Sequence, residues 1–286
     1  MFSDTQEKQF IRERLWKPVI EETCSRKGIV APRYLCFPGG ACLELRFLRD
    51  ECKKGLDNVS AVEKDETDAA AIEYFLQSKG KVFTGDFGAL LNQNVKFKKT
   101  FEKPYDLINL DFYGSANLLG ILGGSKSIEL VQKVLEFQSK GGATDFSLLL
   151  TFKAKEALKG SKEIFDYWRA RGLSNFERLE SDISGRTPSA NVHKAVSMIA
   201  LQLGHIAGEF NFKGQLIMPP FLYRGNHGTD GYQRKKTQMV ALGFRIEKVK
   251  NSKISSPGKV EKEQKLAQTA TVSELLKIQK VAMKKG

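Results

Sequence analysis

The sequence lacks the features that mark membrane, secreted and zinc-binding proteins. It has no run of about 18 uncharged apolar residues, the length that a helix needs to span a bilayer. Residues Met1 to Arg14 are polar and have no apolar core of the kind found in signal peptides. None of the four cysteines forms a Cys-x-x-Cys pair, so we expect buried free thiols and no zinc. We therefore expect a cytoplasmic protein in a reducing compartment that does not act at membranes.

Two phosphate-binding motifs are also missing. No Gly-x-x-x-x-Gly-Lys-Ser/Thr segment is present, which argues against a P-loop NTPase. Dehydrogenases that bind dinucleotides need Gly-x-Gly-x-x-Gly at the start of a helix, whereas Gly39-Gly40 is followed by Ala41-Cys42-Leu43.

His193 and His205 are far apart in sequence and lack nearby partners at ligand spacing, so we expect no metal site.

Positive charge is abundant and unevenly distributed. The net charge is +13, and the segment from Lys248 to Gly286 carries ten lysines against three glutamates. A second basic segment, Lys213 to Lys236, holds five basic residues and one acidic residue. Clustered positive charge favours phosphate backbones, so we expect a nucleic-acid partner. A tail that simply stays solvated is the alternative.

Apolar strands alternate with helical segments along the first half of the chain, a pattern typical of parallel βαβ units. The expected strands are 34–37, 59–62, 81–84, 105–110, 146–152, 215–223 and 238–249, and the expected helices are 3–26, 41–54, 67–78 and 127–140. Residues 155–212 read as a helical insertion. These features predict an α/β domain over 1–250, with helices on both faces of the sheet. Residues 251–286 are expected to form a basic linker and a short helix ending near Met283, because Thr271 to Glu274 match a capping box.

Glycines and acidic residues follow four successive strands. The positions are Pro38-Gly39-Gly40, Glu63, Asp86 and Asp111, with spacings of 24, 23 and 25 residues. Parallel strands end at one edge of a sheet, where such sheets bind ligands, so these residues should share an edge. The glycines allow close backbone approach, Glu63 can bind ribose hydroxyls, and Asp86 can bind the adenine amino group. Phe87 is available to pack on the adenine ring. Together they predict a nucleoside site.

Four segments of the sequence resemble class I S-adenosylmethionine-dependent methyltransferases, over roughly Tyr34 to Phe152 with a weaker match to Val249. The segments are Phe37-Pro38-Gly39-Gly40-Ala41, Val62-Glu63, Gly85-Asp86-Phe87 and Asn109-Leu110-Asp111-Phe112-Tyr113-Gly114. The glycine loop lacks the full Gly-x-Gly-x-Gly and the usual acidic residue before it. The fourth segment is neither NPPY nor DPPY and looks more like the Asp-x-x-Gly of some tRNA guanine methyltransferases.

This resemblance implies a Rossmann-like fold and an S-adenosylmethionine-dependent methyltransferase, with a nucleic acid as the methyl acceptor. The implied cofactor contacts are Phe37, Pro38, Gly39, Gly40, Glu63, Asp86 and Phe87. The implied catalytic residues are Asp111 and Tyr113. The acceptor would be held by Phe112 and by a basic loop containing Arg224, His227, Arg234, Lys235 and Lys236. Two alternatives stay open: a methyltransferase of a small molecule or protein, and a binding protein with a degenerate methyltransferase fold.

Overall fold

The computed structural model describes residues 6–115, 126–153, 199–200, 202–227, 235–249 and 279–280. Its strands are β1 (Tyr34–Cys36), β2 (Val59–Glu63), β3 (Lys81–Thr84), β4 (Leu107–Ser115), β5 (Asp145–Lys153), β6 (Phe212–Leu216), β7 (Phe221–His227), β8 (Lys235–Lys248) and β9 (Gln279–Lys280). Its α-helices are α1 (Gln6–Ile11), α2 (Lys17–Lys27), α3 (Leu43–Arg46), α4 (Glu66–Leu76), α5 (Phe87–Gln93), α6 (Val95–Lys99) and α7 (Lys126–Lys140). None of these helices is long and apolar enough to cross a membrane.

All nine strands belong to one sheet, in the order β3-β2-β1-β4-β5-β8-β7-β9, with β6 also paired to β8. Strands β1 to β5 are parallel, and β8 runs antiparallel to β5. The chain moves outward from β1 to β3 and then returns to place β4 on the other side of β1. The crevice between β1 and β4 is therefore a topological switch point, where such sheets bind ligands. This order confirms the predicted Rossmann-like α/β fold.

Helices cover both faces of the sheet. One apolar core joins the sheet to α5, α6, α7 and the helical residues 202–209, and the other joins it to α1, α2, α3 and α4. Side chains along a strand alternate between the two faces. In β4, Ile108 and Leu110 enter the first core and Leu107 enters the second. Asn109 and Asp111 share the face of Leu107, so they point toward the layer that holds the N-terminal helix.

The N-terminal helix runs without a break from Gln6 to Lys27. It is α-helical except for a π-helical turn at Arg12–Trp16. Pro18 lies just after this π-helical turn, and a proline inside a helical run has no N–H to donate to the preceding turn. Gly28 ends the run in the left-handed conformation with φ of 64°. A Cβ on Gly243 of β8 would lie 2.9 Å from Val19. The glycine therefore lets the helix approach the middle of the sheet closely.

The structure changes several of the predicted boundaries. Strand β4 does not end before Asp111 but continues to Ser115, because it goes on pairing with β5 beyond Asp111 and Thr151. Both ends of the predicted basic loop 224–236 are strand, since β7 and β8 pair from Arg224 and Gln238 as far as His227 and Lys235, and residues 228–234 lie outside the described part of the chain. Gln279 and Lys280, expected in a helix, form β9 beside β7, where backbone pairing outweighs local helix propensity. The expected helices over 155–198 lie outside the described residues.

Candidate active site

The glycine loop after β1 contains two glycines in different surroundings. Gly39 has φ of 62°, and none of the described atoms lies within 4 Å of the position that its Cβ would take. A Cβ on Gly40 would lie 2.0 Å from Oδ1 of Asp68, a residue of α4. The backbone N–H of Cys42 donates to the carbonyl of Gly39 at 2.9 Å and closes the turn. Gly39 thus leaves a face open to a ligand, whereas Gly40 makes room for Asp68.

Glu63 is the last residue of β2 and lies beside Thr84 at the end of β3. Its Oε1 accepts hydrogen bonds from the backbone N–H groups of Lys64, at 2.7 Å, and Asp65, at 3.1 Å. These two bonds fix the direction of the carboxylate without using Oε2. The carboxylate is therefore held at the carboxyl edge of the sheet with one oxygen outside these two hydrogen bonds.

Asp86 is the N-cap of α5. Its Oδ1 accepts from the backbone N–H of Ala89 at 3.0 Å, as N-cap carboxylates do. The capping role and the predicted adenine contact involve the same side chain, and Oδ2 takes no part in this cap bond. Asp86 follows β3, next to Glu63 on β2, so the two predicted nucleoside contacts share one edge.

Three phenylalanines from three separate segments of the chain meet beside the glycine loop. The ring of Phe37, directly after β1, lies 4.8 Å from that of Phe87 and 6.0 Å from that of Phe112, both edge to face. Phe87 also contacts Phe97, at 6.0 Å, and is only 8% exposed. Its ring is thus mostly committed to the core. The sequence placed these three aromatic residues in one site, and the structure brings them into one row.

Asp111 lies inside β4 opposite Thr151, immediately before a bulge. Five residues of β4, from Asp111 to Ser115, run beside only three of β5, from Thr151 to Lys153. Bulges of this kind redirect side chains and are common next to active sites. The Oδ2 atom of Asp111 is 3.6 Å from Nζ of Lys8 in the N-terminal helix. An ammonium group therefore already lies where the sequence predicts that Asp111 holds an acceptor amine.

A buried polar network lies beneath Asp111. Asn109 is fully buried, and its Nδ2 donates to Oε1 of Glu44 at 2.7 Å and to the hydroxyl of Tyr34 at 3.3 Å. The Oδ1 atom of Asn109 is buried without a hydrogen-bond partner among the described residues. Burial raises the pKa of Glu44 to about 8; the hydrogen bond from Asn109 lowers it, and the Asp111 carboxylate raises it. Glu44 is thus mostly neutral at pH 7. Its position in the sequence had not marked it as a site residue.

The basic hairpin projects from the same edge of the sheet as Asp111. The last residue of β5, Lys153, pairs with Met239, and β8 begins four residues earlier, at Lys235. At about 3.4 Å per residue, the hairpin extends about 14 Å beyond the end of β5. The backbones of Arg224, His227, Lys235 and Lys236 lie on this hairpin, whereas Arg234 and the side chain of Tyr113 lie outside the described residues.

Among the described residues, no group of three His, Cys, Asp or Glu side chains is arranged to hold a metal. All four cysteines are buried and free. Burial raises the pKa of Cys36 well above its ordinary value, and the neighbouring Cys42 raises it further. A thiol with a raised pKa is a poor nucleophile at neutral pH. The cysteines near the glycine loop therefore serve packing rather than nucleophilic chemistry.

Several solved structures share the overall arrangement at low similarity. A Pyrococcus horikoshii protein, provisionally named an RNA methyltransferase, is 12% identical with a TM-score of 0.42, over 86% of this chain and 100% of that one. A precorrin-6y C5,15-methyltransferase from Geobacter metallireducens is 10% identical with a TM-score of 0.38, over 86% and 94%.

A plantazolicin methyltransferase, solved with a desmethyl substrate analogue and SAH, is 10% identical with a TM-score of 0.45, over 85% of this chain and 86% of that one. No family model and no curated protein matches the sequence. Identities at this level transfer no activity, so the function of this chain has to rest on the site itself.

Proposed function

We propose that the protein is an S-adenosylmethionine-dependent methyltransferase. The observation that carries this proposal is the row Asp86, Glu63, Gly39 and Asp111 along four adjacent strands at the switch point of the sheet. Neighbouring strands are about 4.8 Å apart, so the row spans about 14 Å. This length suits an extended ligand with a nucleoside at one end and a reactive group at the other.

The residues present fit this cofactor. Asp86 offers a carboxylate for the adenine amino group, and Oε2 of Glu63 can accept from ribose hydroxyls. Gly39 has an open left-handed backbone that admits the amino-acid end of the cofactor. Phe37 and Phe112 supply apolar surface between these polar groups. The bound cofactor would supply an electrophilic methyl group on a sulfonium.

Asp111 would then orient the acceptor. Its place on β4, beyond the glycine loop from Glu63 and Asp86, separates it from the nucleoside end of the row. A carboxylate there can accept a hydrogen bond from an acceptor amine and stabilise the positive charge that grows during transfer. An incoming amine has to replace Lys8 beside Asp111. The buried Glu44–Asn109 pair supports β4 from below and keeps the position of Asp111 fixed.

We also propose that the acceptor is a nucleic acid. Support comes from the net charge of +13 and from the basic hairpin, which rises from the same edge as Asp111. In the sheet, β8 is two strands from β4, so the base of the hairpin is about 10 Å to the side of Asp111. Lysines and arginines at this distance suit the phosphates that flank a target base.

Calorimetric titration with S-adenosylmethionine tests the cofactor site. The parent should bind, and Glu63→Gln and Asp86→Asn should each weaken binding by about 1–3 kcal/mol, because each loses a charge-assisted hydrogen bond. Asp86→Asn keeps an oxygen for the helix cap and so separates capping from cofactor contact. Asp65→Asn is the matched control, since Asp65 caps α4 next to Glu63 and has no place in the row. Parent-like binding by both test variants would put the cofactor elsewhere.

A further inference from the structure

A surface groove leads away from the glycine loop along the side of the domain. It lies between α4 and the π-helical turn Phe47–Glu51 and has a volume of about 330 Å³. Its lining includes Gly40 and Cys42, which follow β1, as well as Leu56 and Lys79, which precede β2 and β3. The groove therefore runs from the carboxyl edge of the sheet, where the candidate active site lies, to the opposite edge.

The wall of this groove combines arginines with aromatic rings. The guanidinium carbons of Arg46 and Arg49 lie 5.1 Å and 4.8 Å from the centre of the Phe75 ring. Arg49 also donates two hydrogen bonds to Asp50, at 2.7 and 2.9 Å, which fix its orientation. Tyr74, next to Phe75, is 84% exposed. A large ring that is left in solvent contributes little to the fold and is available to a ligand.

The positive charge of the groove favours an anionic ligand. Three of the described side chains that line the groove, those of Arg46, Arg49 and Lys79, are cationic, and none is acidic. Proteins that bind single-stranded nucleic acid combine a positive groove for the backbone with aromatic rings on which bases stack. Arg46 and Arg49 are held in place by Phe75, so little side-chain entropy is lost when a phosphate binds.

We propose that this groove binds a single-stranded segment of the nucleic-acid acceptor, with a base on Tyr74 and phosphates on Arg46, Arg49 and Lys79. This inference rests on the proposed nucleic-acid acceptor and names the surface that holds it. Because Gly40 lines the groove and follows β1, a strand lying there directs its next nucleotides toward β1 and β4. The groove would position the strand, and Asp111 would receive the target base.

The test is binding of a fluorescent 12-nucleotide oligouridylate, measured by anisotropy over a range of salt concentrations. Tyr74→Ala should weaken binding by about tenfold, the usual effect of losing one stacked base, whereas Tyr74→Phe should stay within about twofold. The double variant R46Q/R49Q should flatten the slope of log affinity against log salt by up to about 1.4, because each phosphate contact on a single strand contributes about 0.7.

The control is K96Q/K103Q, which removes two exposed charges outside the groove, and it should keep the parent slope. The groove is not the contact if Tyr74→Ala and R46Q/R49Q bind like this control. Titration of the same samples with S-adenosylmethionine reports on the cofactor site separately. A parent that binds the cofactor but not the oligonucleotide would overturn the groove and the nucleic-acid acceptor, and would leave the methyltransferase proposal standing.

Discussion

The two ends of the candidate site hold their carboxylates in opposite ways. At the proposed nucleoside end, Glu63 and Asp86 accept hydrogen bonds from backbone N–H groups within three residues of themselves. At the proposed acceptor end, Asp111 lies against Lys8, and the buried pair below it joins β4 to α3. The first end is built from local turns, and the second from segments that are far apart in the sequence.

This difference separates binding from stability. Substitutions of Glu63 or Asp86 change a turn or a cap at the surface, where the loss is local. Substitutions at the acceptor end disturb buried polar groups, whose removal leaves their partners unsatisfied. Substitutions of Glu63 or Asp86 should therefore change ligand affinity. Substitutions at the other end, around Asp111, should change turnover and the pH dependence of stability.

The largest expected effect is that of Glu44→Gln on the pH dependence of the free energy of unfolding. Its pKa is raised from 4.5 to about 8 in the folded protein, so between these values the folded state binds more protons than the unfolded state. Stability therefore falls as the pH rises through this window, by up to about 4–5 kcal/mol. Urea unfolding at pH 5, 7 and 9 should show this fall in the parent and much less of it in Glu44→Gln.

Glu66→Gln is the matched control for this measurement, because Glu66 is an exposed glutamate in the first turn of α4. Its pH profile should follow that of the parent. Identical profiles for Glu44→Gln and the parent would mean that the Glu44 carboxyl is not held neutral by its surroundings.

The second prediction concerns turnover. Asp111→Asn keeps the shape of the side chain and removes its charge, so turnover should fall about 100-fold, or about 3 kcal/mol, while affinity for S-adenosylmethionine stays within about twofold. Lys8→Gln is the control, because it removes the ion pair and leaves the carboxylate. A partly exposed pair contributes at most about 1 kcal/mol, so Lys8→Gln should stay active. Equal losses of turnover in both variants would assign Asp111 a structural role.

The proposed nucleoside end of the site, which is built from local turns, could be predicted from the sequence. The third strand was predicted with its observed bounds and the second to within one residue, because a short apolar run followed by a turn signal is a local pattern. Glu63 comes directly after such a run, and Asp86 comes one residue further on, after Gly85. Their hydrogen bonds are made with adjacent residues, so the information that places them lies within a few positions of the chain.

The proposed acceptor end, which joins segments far apart in the sequence, could be predicted only in part. Asp111 was found, but the continuation of β4 past it depends on pairing with β5 through a bulge, and no local pattern indicates that. Lys8 reaches Asp111 through the docking of the N-terminal helix, a tertiary contact. Glu44 offered one readable signal: Phe47 and Leu48, three and four residues later, are apolar and buried. A glutamate on the same helical face should be buried as well.

The smallest expected effect is that of the basic C-terminal segment. The segment from Asn251 to Gly286 carries eight lysines and three glutamates, so its removal should flatten the salt dependence of nucleic-acid binding. Deletion has a second consequence, because Gln279 and Lys280 form the strand next to β7. A deletion variant therefore loses a short edge strand together with its charges. Substituting Lys284 and Lys285 by glutamine removes two charges beyond β9 and keeps the strand. This double variant should flatten the slope measured with oligouridylate by up to about 1.4 and leave the urea midpoint unchanged. A shifted midpoint with an unchanged slope would assign the segment to the fold rather than to phosphate binding.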